Sequence, residues 1–322
     1  MEKIKVAVIG TGRLGRFHTK IIKDLPDVDL IGIYDIDAAR LKSVADEFKV
    51  EAFDDPDDLL NLCDAAIVAS TTSTHKDIVL RAIDAGCHVL VEKPIAESAT
   101  DGRVMVEAAD IAGKVLMVGH VEHFNPAFGV ARPFLKRPQF IESHRLTIYR
   151  GRGADVSVVH DLLIHDLELI LALIDEEIVD MRASGGKVLT NSLDIANVRI
   201  EFSGGCVANV TASRISLSNV RKMRFFSDGA YVSIDFGGKV EIASLIGDGP
   251  KPPDEAERFD LPGGETIARW FIPVPDGNAL QIELENFMDC IRTGEEPLVS
   301  GRSGLKALEL ADRIVEEIGI AG

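Results

Sequence analysis

Basic charge is scarce in this 322-residue chain: 35 Lys and Arg stand against 52 Asp and Glu, a formal balance of −17. Nucleic-acid affinity rests on clustered Lys and Arg, so a phosphate-backbone binder is not expected. A small anionic substrate needs only a local basic pocket and stays open. Long apolar runs are missing as well: no stretch of about 18 apolar residues occurs, so no membrane-spanning helix is expected. The N-terminus enters a strand pattern at once and leaves no room for a signal peptide, which makes a cytoplasmic location the expectation. Cys63, Cys87, Cys206 and Cys290 form no CxxC pair and no zinc spacing, which fits buried thiols in a reducing compartment. Internal repeats and low-complexity tracts are absent. What is present, 46% hydrophobic and 27% charged residues, supports a packed core, and the length suits two ordinary domains or one large one.

The first third alternates strand and helix patterns. Lys5–Ile9, Leu30–Tyr34, Ala65–Ala69, His88–Val91 and Val115–Val118 are short apolar runs, with helical spacing between them at Arg16–Asp24, Ala38–Phe48, His75–Ala85 and Thr100–Ala112. Strands apolar throughout, alternating with helices, imply a parallel sheet covered on both faces. After Gly119 the rhythm changes. Phe140–Arg150 has extended character and Val158–Ile174 reads as one helix. Ala196–Phe202, Cys206–Ile215, Lys222–Phe226, Tyr231–Phe236 and Val240–Ser244 are β-like, two pairs of them split by Gly204-Gly205 and Gly237-Gly238 as hairpin turns. Residues 247–277 read as a long excursion at the sheet edge. Two helices close the chain, one stopped by Gly294 and one with Ser303 as N-cap candidate.

Gly10-Thr11-Gly12-Arg13-Leu14-Gly15 is a GxGxxG motif that follows a strand pattern and opens a helix pattern. Its glycines permit a tight turn and close backbone approach, and the helix N-terminus then faces a pyrophosphate. Asp35, at the end of the second strand, accepts hydrogen bonds from ribose hydroxyls and repels a 2′-phosphate, which favours NAD over NADP. Ser70, Thr71, Thr72 and His75 follow the third strand at the ligand edge of such a sheet, where they are candidate cofactor contacts or plain helix caps. Glu92-Lys93-Pro94 closes the next strand at the same edge, where a lysine can stabilise negative charge as a hydroxyl proton leaves. Asp161 and His165, at i and i+4, share a helix face with Glu168 beside them; an Asp that orients an imidazole makes a general base. The helical wheel turns Asp166 toward the apolar side, so a buried partner is expected. His120, His123 and Asn125 lie where the chain leaves the first domain, placed to meet a substrate. No third metal ligand is apparent, so no metal site is expected.

Together these residues resemble the Gfo/Idh/MocA oxidoreductases. The resemblance rests on Gly10–Gly15, Asp35, Glu92-Lys93-Pro94, the run Asp161 to Glu168, and the closing pattern Glu283 to Leu310. It implies an α/β chain: an N-terminal Rossmann domain with a doubly wound parallel sheet over 1–119, and an α+β domain with an open, mostly antiparallel sheet over 120–322. The second domain is implied to bind substrate and to form a homodimer or homotetramer, the terminal helices being able to pack back on the first. The resemblance implies NAD as cofactor, Glu92 and Lys93 at its site, Lys93 as catalytic lysine, His165 as acid/base and Asp161 as its orienting partner. Within the family, Val118–Pro126, Asp155–His165 and Asn209–Arg214 are similar to the UDP-N-acetylglucosamine 3-dehydrogenase branch, although His123 stands where that branch often has Arg and Leu163 where many members have Gly. That similarity implies oxidation of a sugar 3-hydroxyl to a ketone, feeding 3-amino-sugar synthesis, with His120, Glu122, Asn125, Arg152 and Arg214 at the substrate. Arg145, Arg150, Arg152, Arg214, Arg221, Lys222 and Arg224 are the supply of charge for a diphosphate. Oxidation of a free polyol, redox-neutral NAD-dependent glycoside cleavage and a non-catalytic NAD-binding regulator remain alternatives.

Overall fold

A computed structural model describes residues 2–149, 151 and 156–319. The chain divides into two compact units, one of Met1–Val121 with Ala279–Leu308 and one of Glu122–Asn278 with Glu309–Gly322.

The first unit holds β1 (Ile4–Ile9), β2 (Val28–Tyr34), β3 (Ala65–Val68), β4 (His88–Glu92) and β5 (Leu116–Gly119), and between them α1 (Arg13–Asp24), α2 (Ala38–Phe48), α3 (Pro56–Leu60), α4 (His75–Asp84) and α5 (Ala99–Ala112). The strands form a five-stranded sheet in the order β2-β1-β3-β4-β5, every pair parallel. Val6, Ala7 and Val8 of β1, all of β3 and Val89–Val91 of β4 are fully buried, as a sheet covered on both faces requires. The strand order reverses between β1 and β3, so the loops after these two strands flank the switch point at the carboxyl edge.

The second unit contains α6 (Pro126–Ala131), β6 (Phe140–Leu146), α7 (Ile164–Leu173), β7 (Ile178–Gly186), β8 (Ile195–Phe202), β9 (Val207–Ser213), β10 (Val220–Ser227), β11 (Ala230–Asp235), β12 (Lys239–Leu245), β13 (Glu257–Asp260) and β14 (Thr266–Ile272). These strands make one nine-stranded sheet, β13-β14-β12-β11-β10-β6-β9-β8-β7, antiparallel except where β6 meets β9. β6, β8, β9 and β12 alternate buried and less buried residues, the period of a sheet with one covered face. Both glycine pairs do turn hairpins, with Gly205 at φ +89° and Gly238 at φ +108°.

Three differences from the sequence reading have physical causes. Residues 247–277 contain the hairpin β13–β14, whose fully exposed first strand, Glu257–Asp260, lacks any apolar alternation. β7 is an edge strand with no buried residue, so its pattern is equally mute. The helix expected over Val158–Ile174 is split: Val159–Leu163 is a π-helical turn that precedes α7, so Asp161 and His165 are not one regular α-helical step apart.

The chain ends in α8 (Ala279–Thr293) and α9 (Gly301–Ile318). Ser300, rather than Ser303, caps α9, its hydroxyl accepting from the Ser303 N–H at 3.3 Å. Near the start of α9, Gly304 lies against β5: a Cβ there would come within 2.5 Å of a Val118 methyl and 2.7 Å of its Cβ. Gly304→Ala is therefore expected to cost about 1–3 kcal/mol by overpacking, read by urea denaturation. Gly129→Ala, where an added Cβ meets nothing within 4 Å, is expected to leave stability unchanged or slightly raised.

Candidate functional site

In the first unit the candidate residues gather at the carboxyl edge of the parallel sheet. Gly10 has φ +93°, and a Cβ on it would lie 2.5 Å from the Ser70 nitrogen; one on Gly15 would lie 1.8 Å from the Gly10 carbonyl oxygen. Only glycine fits these two positions, so the turn after β1 is pinned against β3. At Gly12 nothing lies within 4 Å of such a Cβ, and the first turn of α1 has no side-chain cap. Its N–H groups are thus open to a ligand, with Arg13 and Leu14 exposed in that turn. This is the cradle a dinucleotide pyrophosphate needs, and the residues fit that group.

Asp35 ends β2 just beyond the strand and is 8% exposed. Its carboxylate accepts from the Thr11 N–H (2.7 Å), the Thr11 hydroxyl (2.9 Å) and the Asp37 N–H (2.9 Å), and Arg40 lies 3.2 Å away. Burial alone would raise its pKa; the Asp37 and Thr11 donors and the Arg40 charge outweigh that and hold it below the usual carboxylate range. The acid is therefore ionised, the state that ribose recognition uses. Ser70 binds the Thr74 hydroxyl (2.7 Å), Thr71 is exposed and Thr72 half-buried at the start of a short 3-10 turn.

His75 and Glu92 differ from expectation. Both are buried, and the polar groups that meet them are protein groups: His75 faces the Pro94 and Ser70 carbonyls, and Glu92 meets His18. Lys93 is half-buried in the turn that follows β4, and its peptide bond to Pro94 is cis. His120 is fully buried just past β5.

In the second unit the candidates cluster around a buried guanidinium. β6 alternates faces, and Ile141, Ser143 and Arg145 fall on the covered one. Arg145 donates to Asp166 Oδ1 through Nε (3.0 Å) and Nη2 (2.6 Å), and to Glu122 Oε1 through Nη1 (3.0 Å). The Phe236 ring lies 5.7 Å away. Burial alone would lower the pKa of Arg145; the two carboxylates overcome this and raise it. Arg145 is thus the buried partner that the helical wheel demanded for Asp166. Arg221 also reaches Glu122 (2.8 Å), and Asn125 donates to Glu122 (3.3 Å) and to the Phe236 carbonyl (3.2 Å) while capping α6 through the Ala127 N–H. Glu168 is buried against His123 (2.9 Å), not on a polar face. Asp161 and His165 are half-buried.

The expected substrate contacts therefore divide. Glu122, Asn125 and Arg214 direct polar groups into protein: Arg214, 3% exposed, donates to the Val156 carbonyl and lies 3.9 Å from Asp194. Arg224 pairs with Glu142 at 3.0 Å. Of the basic supply, Arg145 is held between two carboxylates and Arg214 lies near one and a backbone carbonyl, both being buried. Arg150 and Arg152 lie outside the described residues. Sequence reasoning missed Arg145 as the centre of this cluster and His18 altogether. The alternation Ile141-Ser143-Arg145 could have exposed the first, since a cation on a covered strand face needs a buried counter-ion.

Among the described residues no group of three or more His, Cys, Asp or Glu could hold a metal ion, and no helix is long and apolar enough to cross a membrane. Burial pushes the Cys63 thiol up to about 12 and those of Cys87 and Cys206 up to about 11, far from thiolate chemistry at neutral pH.

Comparison with known proteins adds the following. A family model described as an oxidoreductase family with an NAD-binding Rossmann fold matches residues 4–120. UDP-N-acetylglucosamine 3-dehydrogenase of Acidithiobacillus ferrooxidans is 33% identical over 97% of this chain and 96% of its own length. The solved structure of that enzyme superposes with a TM-score of 0.89 at 30% identity, covering 99% of this chain and 98% of that one. The NAD(+)-dependent scyllo-inositol 2-dehydrogenase of Bacillus subtilis is 27% identical over 93% of this chain and 89% of its own length.

Arg145→Met leaves Asp166 buried without its counter-ion and is expected to cost about 3–5 kcal/mol. Adding Asp166→Leu should recover part of that loss, a non-additivity measurable by urea denaturation of the single and double variants. Asp194 gives a pH prediction. Burial would raise its pKa, but the N–H groups of Thr190, Val188 and Leu189 and the Thr190 hydroxyl hold it at about 2. A carboxyl depressed on folding contributes stability that is full above its unfolded pKa of about 4 and lost as pH falls toward 2. Acid titration of the melting temperature should show this fall in the parent and a shallower one in Asp194→Asn.

Proposed function

Because the chain belongs to the Gfo/Idh/MocA oxidoreductase family, nicotinamide-dependent enzymes that act on CH–OH groups, we propose that it oxidises the 3-hydroxyl of a UDP-N-acetyl-hexosamine to a ketone, with NAD preferred over NADP. The observation that carries this reading is the near full-length similarity to a UDP-N-acetylglucosamine 3-dehydrogenase, which exceeds that to the inositol dehydrogenases. The ionised Asp35 supports the preference for NAD, since a fixed carboxylate repels a 2′-phosphate.

The bound nicotinamide supplies the hydride acceptor. His165 accepts the hydroxyl proton, Asp161 orients and stabilises its charged form, and Lys93 stabilises the negative charge that develops on the oxygen. Gly12 and the uncapped first turn of α1 hold the pyrophosphate. The protein acts as a homodimer or homotetramer, a reading supported by the half-exposed Phe259 and Phe271 on the last two strands of the sheet. A second reading, oxidation of an unactivated polyol, is favoured by one specific observation: Arg145 and Arg214 are buried beside acids, which leaves only Arg221, Lys222 and Arg224 of that basic supply, among the described residues, for a diphosphate.

The test is absorbance of NADH for purified protein with NAD or NADP, a ketone trap, and a panel of UDP-N-acetylglucosamine, UDP-glucose, myo-inositol and glucose. Turnover is expected with NAD and the UDP-amino sugar, and Lys93→Ala is expected to lower kcat about 10³-fold. Turnover with myo-inositol alone would keep the mechanism and replace the substrate; full activity in Lys93→Ala would remove the lysine from it.

A further inference from the structure

The turn that carries Lys93 is gripped from both sides by a buried histidine. On one side stands His18, fully buried on α1 a few residues beyond Gly15. Its Nε2 lies 2.7 Å from Glu92 Oε1, while its Nδ1 has no hydrogen-bond partner. A carboxylate oxygen can only accept from this ring, so His18 donates to it through Nε2–H. On the other side of the Glu92 carboxylate is Gly119, where a Cβ would come within 3.1 Å of Oε2. Glu92, the residue before Lys93, is thereby locked.

On the other flank is His75, the first residue of α4 and 1% exposed. Its Nδ1 lies 3.1 Å from the carbonyl oxygen of Pro94, the residue after Lys93, and its Nε2 lies 3.3 Å from the carbonyl oxygen of Ser70. Burial pushes its pKa down, so at neutral pH the ring has a single N–H; the shorter contact assigns it to Nδ1, which donates to the Pro94 carbonyl.

The origin of the two helices gives the arrangement its meaning. α1 starts at the glycine turn that cradles the pyrophosphate, and α4 starts at the Ser70–Thr74 loop. Each histidine therefore ties a cofactor-side loop to one neighbour of Lys93. An apolar residue of similar volume would fill either site but supply no directional bond, and at position 18 it would take a hydrogen bond from the buried Glu92. We propose that His18 and His75 are positioning residues for Lys93, holding its amine in register with the two loops on which the dinucleotide rests. The inference rests on the assignment of Lys93 to catalysis made above. An error of about 1 Å in a reacting group can cost about 10²-fold in rate.

The test exploits which ring nitrogen is used at each site. Glutamine places its amide near the position of Nε2 and asparagine near that of Nδ1. His18→Gln therefore keeps the bond to Glu92 and His18→Asn loses it. The order inverts at the second site, where His75→Asn keeps the bond to Pro94 and His75→Gln loses it. The full-length variants are compared with the parent and with Lys93→Ala. The readouts are the acetic anhydride labelling rate of Lys93 by peptide mass spectrometry, NAD affinity by calorimetry, and kcat and KM with whichever panel compound yields NADH. Expected are a change of threefold or more in Lys93 labelling and a kcat lowered about 10- to 100-fold in His18→Asn and His75→Gln. His18→Gln and His75→Asn should stay within threefold of the parent, with KM and NAD affinity within threefold in all four. The crossed order is what a simple packing role would not produce. Equal labelling in both members of each pair, or losses that follow NAD affinity, overturns the proposal. Where one site's pair fails to melt cooperatively, the other pair decides. If Lys93→Ala retains kcat, the catalytic assignment fails by itself, while the labelling order still reports whether the histidines place the lysine.

Discussion

A guanidinium removed from water must find its counter-charge where it sits, and the second unit is arranged around that requirement. Arg145 stands on the covered face of β6 with 4% of its surface exposed. Desolvating one such ion costs several kcal/mol, which only well-aligned carboxylates offset. Asp166 supplies one from α7 and Glu122 the other from the segment that enters the unit. The pairing fixes the rotation of α7 about its axis, because Asp166 cannot leave Arg145 without stranding two charges. It thereby fixes the direction in which its immediate neighbour, His165, points. The helix α7 is buried on more than one side, so Glu168 needs a partner of its own and meets His123 at 2.9 Å.

In the first unit the interior of the parallel sheet is apolar, so its middle packs without polar partners. At the carboxyl edge Thr11 meets Asp35, His18 meets Glu92, and His75 meets Ser70 and Pro94. Each contact joins one loop of the edge to another. Directional bonds at that edge specify loop positions that hydrophobic packing, being non-directional, leaves undetermined.

The two units were unequally legible in the sequence. In the first, Gly10 and Gly15 are legible because the backbone there tolerates no side chain, and the apolar runs of β1, β3 and β4 are legible because both of their faces are covered. In the second, alternation exposed β8, β9 and β12, whose inner faces are buried, and failed for β7 and β13, which bury nothing. The site followed the same logic. Lys93, Asp161 and His165 stood out by motif and resemblance. Their supports did not: His18 looks like any helix residue until its 2.7 Å contact with Glu92 is seen, across 74 positions of sequence. Helical spacing likewise could not show that Glu168 meets His123, 45 positions away.

Counting arginines proved a poor guide to anion binding for a reason that follows from the same physics. In an acidic protein many basic side chains have carboxylates within reach. An arginine on a covered strand face is captured by them during folding, as Arg145 is by Asp166 and Glu122 and Arg214 is beside Asp194. Only a cation that folding leaves partly solvated can exchange a protein partner for a ligand at low cost. Arg221 fits that description: it is 44% exposed at the side chain although it also touches Glu122. Lys222, half-buried on the same strand, is another candidate. A phosphate-binding role in this unit is therefore argued better from exposure on β10 than from the number of positive residues, and the buried guanidinium of Arg145 belongs to the architecture that holds α7 in place.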